Sequence, residues 1–230
     1  MRLALFDVDG TLLSARGAGR RALGRALLDV YGTAGPIDAY DFHGGTDPQI
    51  IRDLLTAAGL EPDAIADREA RLFACYLECL TAEIGDGSRV TVYPGVAALV
   101  EALAARSECV VGLLTGNIEA GARLKLGPTG LLPRFRLGAY GSDDADRTRL
   151  PGVAARRAEA LVGRAFRGRD LVVIGDTPRD VACARAFGAA SLAVATGRHS
   201  VADLGACEAD FVFPDLSETE RVVAAILDGA

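Results

Sequence analysis

The chain opens on a short apolar run, Leu3 to Phe6, that stops at Asp7-Val8-Asp9-Gly10. Such a run reads as a strand buried on both faces, and the acidic turn after it as a polar loop at the strand's carboxyl end. The period then changes. Ala18, Ala22, Leu23, Ala26, Leu27 and Val30 recur at helical spacing, which predicts a helix over 16–31, and similar spacing predicts helices over 47–58 and 63–84. Residues 14 to about 88 thus read as all-helical.

Beyond them short apolar runs alternate with helical stretches. Strands are predicted over 109–114, 137–140, 171–174, 191–195 and 211–213, and helices over 96–105, 118–126, 153–162, 178–187 and 217–227. This alternation predicts an α/β fold, a doubly wound parallel sheet with right-handed crossovers. The first strand cannot make a sheet alone, so it joins the later ones. The expected organisation is an α/β core of residues 1–13 and 89–230, with 14–88 inserted as an α-helical cap above the strand ends.

Composition narrows the function without naming it. Half of the 230 residues are hydrophobic, enough for a sizeable core, and the formal charge is −6. No block of basic residues could track a phosphate backbone or an anionic membrane, so neither nucleic acid nor membrane is expected as a partner. No apolar run approaches the ~20 residues of a membrane span, and no signal peptide is evident, which predicts a cytoplasmic protein. The five scattered cysteines fit a reducing compartment, and Cys75 and Cys79 read as an apolar helix face. Nothing in an apolar helix face predicts the oligomeric state, because it packs alike on its own core or on a partner.

The candidate chemistry lies at the strand ends. Asp7 and Asp9 project to one side of an extended segment while Val8 points inward, and Gly10 permits a sharp exit. Two carboxyls this close repel unless a cation or a shared proton relieves them, which suits a nucleophile beside an acid. A carboxylate attacking phosphorus gives an aspartyl-phosphate, and Mg2+ on oxygen ligands would offset the charge. Asp176 and Asp180 follow another apolar run, at the mouth of a helix whose first position suits Pro178. Thr115, Gly116 and Asn117 close the run 109–114 with groups that can donate to phosphate oxygens. Lys125, the sole lysine among 25 basic residues, lies downstream, where its ammonium could neutralise a transferring group.

With these motifs in order, the chain resembles the haloacid dehalogenase-like superfamily, whose Asp-x-Asp-Gly-Thr signature is matched by Asp7-Val8-Asp9-Gly10-Thr11. The resemblance implies that Asp7 attacks phosphorus, that Asp9 protonates the leaving oxygen and then activates water, and that Thr115 and Lys125 hold the phosphoryl group. It implies Mg2+ bound by the Asp7 carboxylate, the Asp9 main-chain carbonyl and Asp176, with Asp180 in support. The cap placed directly after the first motif, with Tyr93-Pro94-Gly95 at its return, resembles the phosphoglycolate phosphatase-like group. The resemblance thus implies a small phosphorylated metabolite as substrate, with phosphoglycolate the one it suggests. The chain departs from many relatives at Arg149-Leu150-Pro151, where they carry a lysine before the proline. Either Lys125 or an arginine then supplies that charge.

Two other readings use the same aspartate. A phosphotransferase or sugar-phosphate mutase would exclude water from the breakdown step, and a receiver domain would hold the phosphate as a signal. Asp9 and the lid-sized insertion argue against the receiver. In the predicted cap, His43 lies in a glycine-broken loop and is either a substrate contact or a solvated side chain. Of Arg16, Arg20 and Arg21, Arg20 is named as the candidate for a carboxylated substrate, against the ordinary reading of a solvated helix face.

Overall fold

Every residue of the first strand after Arg2 is buried, which is what an apolar run covered on both faces requires. The computed structural model describes residues 1–228. Its strands are β1 (Arg2–Phe6), β2 (Leu13–Ser14), β3 (Thr91–Val92), β4 (Cys109–Thr115), β5 (Leu137–Tyr140), β6 (Leu171–Gly175), β7 (Ala190–Val194) and β8 (Phe211–Phe213). Six of them form a parallel sheet in the order β5-β4-β1-β6-β7-β8, while β2 and β3 pair antiparallel as a separate ribbon.

The helices are α1 (Ala18–Tyr31), α2 (Asp47–Ala57), α3 (Pro62–Ala66), α4 (Glu69–Ile84), α5 (Val96–Ala104), α6 (Glu119–Leu126), α7 (Leu150–Val162), α8 (Pro178–Phe187), α9 (Val201–Ala206) and α10 (Thr219–Asp228). Alternation along β1 divides the sheet's two faces. Ala4 and Phe6 join the core built with α5 and α10, whereas Leu3 and Leu5 join the one built with α7 and α8. The fold is thus the doubly wound α/β architecture that the sequence predicts. The first of these cores runs on without interruption into α1, α2 and α4, where Leu27, Leu54 and Leu72 are fully buried.

Strand register positions the chemistry. Phe6 stands beside Leu113 of β4 and Ile174 of β6, so the chain leaves all three strands at one level. Thr115 in turn stands beside Tyr140 of β5.

The helix expected over 63–84 is broken in two. A continuous helix would pass the Ile65 carbonyl to the amide of Glu69, but the Tyr31 hydroxyl takes it at 2.6 Å. Helix α4 restarts from Arg68, whose backbone is not helical. Helix α9 and the ribbon are the elements that periodicity does not announce: α9 rests on a capping box between Ser200 and Asp203, and the ribbon strands are two residues each. No helix among the described residues is long and apolar enough to cross a membrane.

Candidate active site

The end of β1 places the first acidic side chain inside the protein. The Asp7 amide donates to the Ile174 carbonyl at 2.9 Å, so the strand pairing continues one residue past Phe6, and the Asp7 carboxylate is buried. Val8 turns inward and is fully buried. The turn closes at Gly10, in the left-handed region at φ 83, where a Cβ would collide with the carboxylate of Asp176. Gly197 also closely approaches this carboxylate, and the Thr11 hydroxyl donates to it at 3.0 Å. Asp176 is therefore held by two close glycines and one hydroxyl.

Asp7, Asp176 and Asp180 form a buried group whose carboxylate oxygens lie within 4.8 Å of one another. Burial pushes the Asp7 carboxyl up to about 6 against the pull of Arg147, and burial together with Asp180 and Asp7 holds Asp176 well above the carboxylate range. Asp180 closes a capping box at the start of α8, taking the Thr177 hydroxyl on Oδ2 at 2.7 Å. Its Oδ1 receives Arg147 Nη2 at 2.5 Å. Both Asp180 oxygens thus have partners within the protein.

Arg147 is the residue that sequence reasoning passed over. It opens the 3-10 turn Arg147–Arg149 in the loop after β5, its side chain is 8% exposed, and Nη2 lies 3.0 Å from Asp7 Oδ2. Its Nε is buried without a partner among the described residues. The missing lysine near Arg149 was a signal for such a cation, but the arginine involved stands two positions earlier.

Asp9 lies on the opposite wall, its side chain 43% exposed to the cavity. Its Oδ2 accepts from Lys125 Nζ at 2.6 Å and from Asn117 Nδ2 at 2.8 Å. Asn117 also binds Lys125 through Oδ1 at 2.5 Å and donates to the Thr115 hydroxyl oxygen at 2.8 Å. Thr115 in turn bonds the Asp7 carboxyl and draws its pKa down. The candidate residues Asp7, Asp9, Thr115, Asn117 and Lys125 are therefore one connected polar network. Gly116 contributes backbone: its carbonyl accepts the Asp47 amide at 2.7 Å, and a Cβ there would run into the Gly45 carbonyl.

Asp47 is a second residue not singled out from the sequence. Its Oδ2 accepts the Ile118 amide at 2.8 Å at the start of α6, and burial pushes its carboxyl up to about 6 with Lys125 opposing. The network sits at the floor of a cavity of about 450 Å³ whose walls include Arg16, Arg20, Phe42, His43, Tyr76 and Arg198. His43 is half-exposed and pairs through Nδ1 with Asp41 at 2.6 Å. Arg20 donates to the Tyr40 carbonyl at 2.6 Å and stacks on the Phe42 ring at 4.4 Å, so its charge is committed to the wall. Arg21 pairs with Glu83 at 2.8 Å and is not among the residues lining this cavity.

The sequence model of the haloacid dehalogenase-like hydrolase family matches residues 1–188. The chain belongs to this family. Among curated proteins, it is 28% identical over 230 residues to phosphoglycolate phosphatase of Synechococcus elongatus, with 99% of each chain covered. It is 30% identical over 216 residues to phosphoglycolate phosphatase of Rhodospirillum rubrum, covering 89% of this chain and 85% of the relative. Among solved structures, a hydrolase from Pseudomonas syringae shares the haloacid dehalogenase-like fold with a TM-score of 0.73 at 19% identity, covering 98% of this chain and 99% of the other.

Proposed function

We propose that the protein is a Mg2+-dependent phosphoric monoester hydrolase that passes the phosphoryl group through Asp7, with phosphoglycolate as its substrate. The observation that carries this reading is the pair of walls around one carboxylate: Asp7 beside buried Arg147, facing Asp9 tied to Lys125. The names of the two curated relatives motivate the substrate.

The donor set suits the ion. Asp7 and Asp176 are raised because negative charge is crowded in a dry site, and an all-oxygen set is what Mg2+ takes. Asp7, Asp176 and the Asp9 main-chain carbonyl would hold it, with Asp180 in support through Arg147. When bound, the ion supplies positive charge against the incoming phosphate dianion.

The remaining steps belong to the chain's own residues. Arg147 and the Thr115 hydroxyl orient the Asp7 carboxylate, one oxygen of which attacks phosphorus. Lys125 and Asn117 both engage Oδ2 of Asp9, leaving Oδ1 to carry the proton delivered to the departing oxygen. The same oxygen then takes a proton from water, which attacks the aspartyl-phosphate and releases inorganic phosphate, restoring Asp7. Partnerless Arg147 Nε is a donor for a phosphate oxygen. In this reading residues 14–88 serve as a cap over a core of 1–13 and 89–230, and the contact of Asp47 with Gly116 closes it.

The test is release of inorganic phosphate from a panel of small phosphomonoesters with Mg2+, with Asp7→Asn as control. Turnover by the unmodified chain and none by the variant is expected. Equal rates in the two would overturn the role of Asp7, little free phosphate despite consumption of substrate would favour phosphotransfer, and a stable phospho-protein without turnover would favour a receiver.

A further inference from the structure

The cations around the cavity can be accounted for one at a time. Lys125 is bound to Asp9 and Asn117, and Arg147 to Asp7 and Asp180. Arg20 is spent on backbone carbonyls and the Phe42 ring, and Arg198 on Asp41. Arg16 also lines the cavity, yet its guanidinium has no hydrogen-bond or ion-pair partner among the described residues.

Its backbone is equally distinctive. Arg16 lies in the left-handed region at φ 48, which among the described residues is shared only by glycines and by Glu208, a residue after α9. Both sides of the residue are fixed: its amide donates to Ser14 Oγ at 3.3 Å, and its carbonyl accepts from Arg21 Nη1 at 2.7 Å. An arginine thus occupies a position that glycine would hold without strain, and its exposed side chain leaves a charge without a protein partner on a residue that lines the cavity.

We propose that Arg16 is the specificity residue of this site and binds the carboxylate of a short, doubly anionic substrate at the end remote from the phosphoryl group. The proposal rests on the phosphatase reading above. The floor of the cavity is crowded with Asp7, Asp9, Asp47 and Asp176, so a substrate carboxylate has to be met by a cation placed away from them. A guanidinium fork suits this because it holds both carboxylate oxygens at once.

The experiment compares phosphoglycolate with ethyl phosphate, which is of similar length but has no carboxylate, in the full-length Mg2+ protein and in Arg16→Gln. The ratio of kcat/KM for the two substrates is expected to fall about 10- to 100-fold in the variant, mainly through KM for phosphoglycolate. Arg16→Lys should recover part of it. An unchanged ratio, or an unmodified protein with no preference for the carboxylated substrate, would overturn the assignment. Calorimetric binding of phosphoglycolate to Asp7→Asn and to Asp7→Asn/Arg16→Gln separates this failure from that of the phosphatase reading. Weaker binding in the double variant supports Arg16 even where no phosphate is released, and equal binding refutes it.

Discussion

The guanidinium of Arg147 lies 3.0 Å from the carboxylate of Asp7, and both side chains are buried. Because the same nitrogen also reaches Asp180, one arginine neutralises the ends of two loops. Arg147→Met leaves those carboxylates without their cation in a dry site and is expected to cost about 3 to 5 kcal/mol in metal-free protein. Urea unfolding in chelator measures it. A loss no larger than that of a surface arginine such as Arg221 would contradict the arrangement.

The carboxylate of Asp176 is crowded by Asp180 and Asp7 and, among the described residues, receives only the Thr11 hydroxyl. Asp176→Asn is therefore expected to raise the melting temperature of chelated protein while removing the stabilisation that added Mg2+ confers on the unmodified chain. Differential scanning calorimetry with and without Mg2+ reads both effects.

Asp47 supplies a pH dependence of defined sign. Its folded-state pKa is raised from 3.8 to about 6, so it contributes stability below 3.8 that is lost as pH rises through about 6. Asp47→Asn keeps an oxygen for the Ile118 amide and does not titrate. Its stability relative to the unmodified protein should grow across that window, by up to roughly 3 kcal/mol at one pKa unit per 1.36 kcal/mol, and level off above it. Unfolding midpoints at about pH 4 and about pH 7 decide the matter.

The backbone contact between Gly116 and Gly45 has no room for a methyl group. Gly116→Ala should cost about 1 to 3 kcal/mol. Gly127→Ala, where a Cβ meets nothing within 4 Å, serves as the control and should cost nothing measurable.

At Arg16 the expected trade runs the other way. Arg16→Gly removes the left-handed strain and should stabilise the fold by about 1 kcal/mol while erasing the preference for a carboxylated substrate. A less stable glycine variant would show that the backbone there is not strained.

Much of this arrangement was legible in the sequence, for a physical reason. Asp7, Thr115 and Asp176 each sit at the end of a buried apolar run, and parallel strands in register bring such ends together. Asp9, Asn117 and Lys125 were flagged in separate parts of the chain, but only the fold shows that Asn117 joins the other two. Arg147 was hidden because it lies in the loop after β5, where neither period nor motif fixes direction, and Asp47 because an acid at the first position of a helix reads as an ordinary partner of the helix dipole. Arg147 is also one arginine in a chain that uses arginine almost everywhere for positive charge. Arg20 was picked over Arg16 because spacing cannot tell a guanidinium occupied by carbonyls from one without a partner.

The ribbon of β2 and β3 carries one last implication. Ser14 faces Thr91 and Leu13 faces Val92, so everything between them leaves and rejoins the sheet through a doorway two residues wide. A short turn could bridge that doorway without rerouting any strand of the parallel sheet. Exchanging the intervening segment is then expected to change which leaving group is admitted while Asp7, Asp9 and Asp176 stay in place, Asp47 alone of the floor's acids going with the exchange.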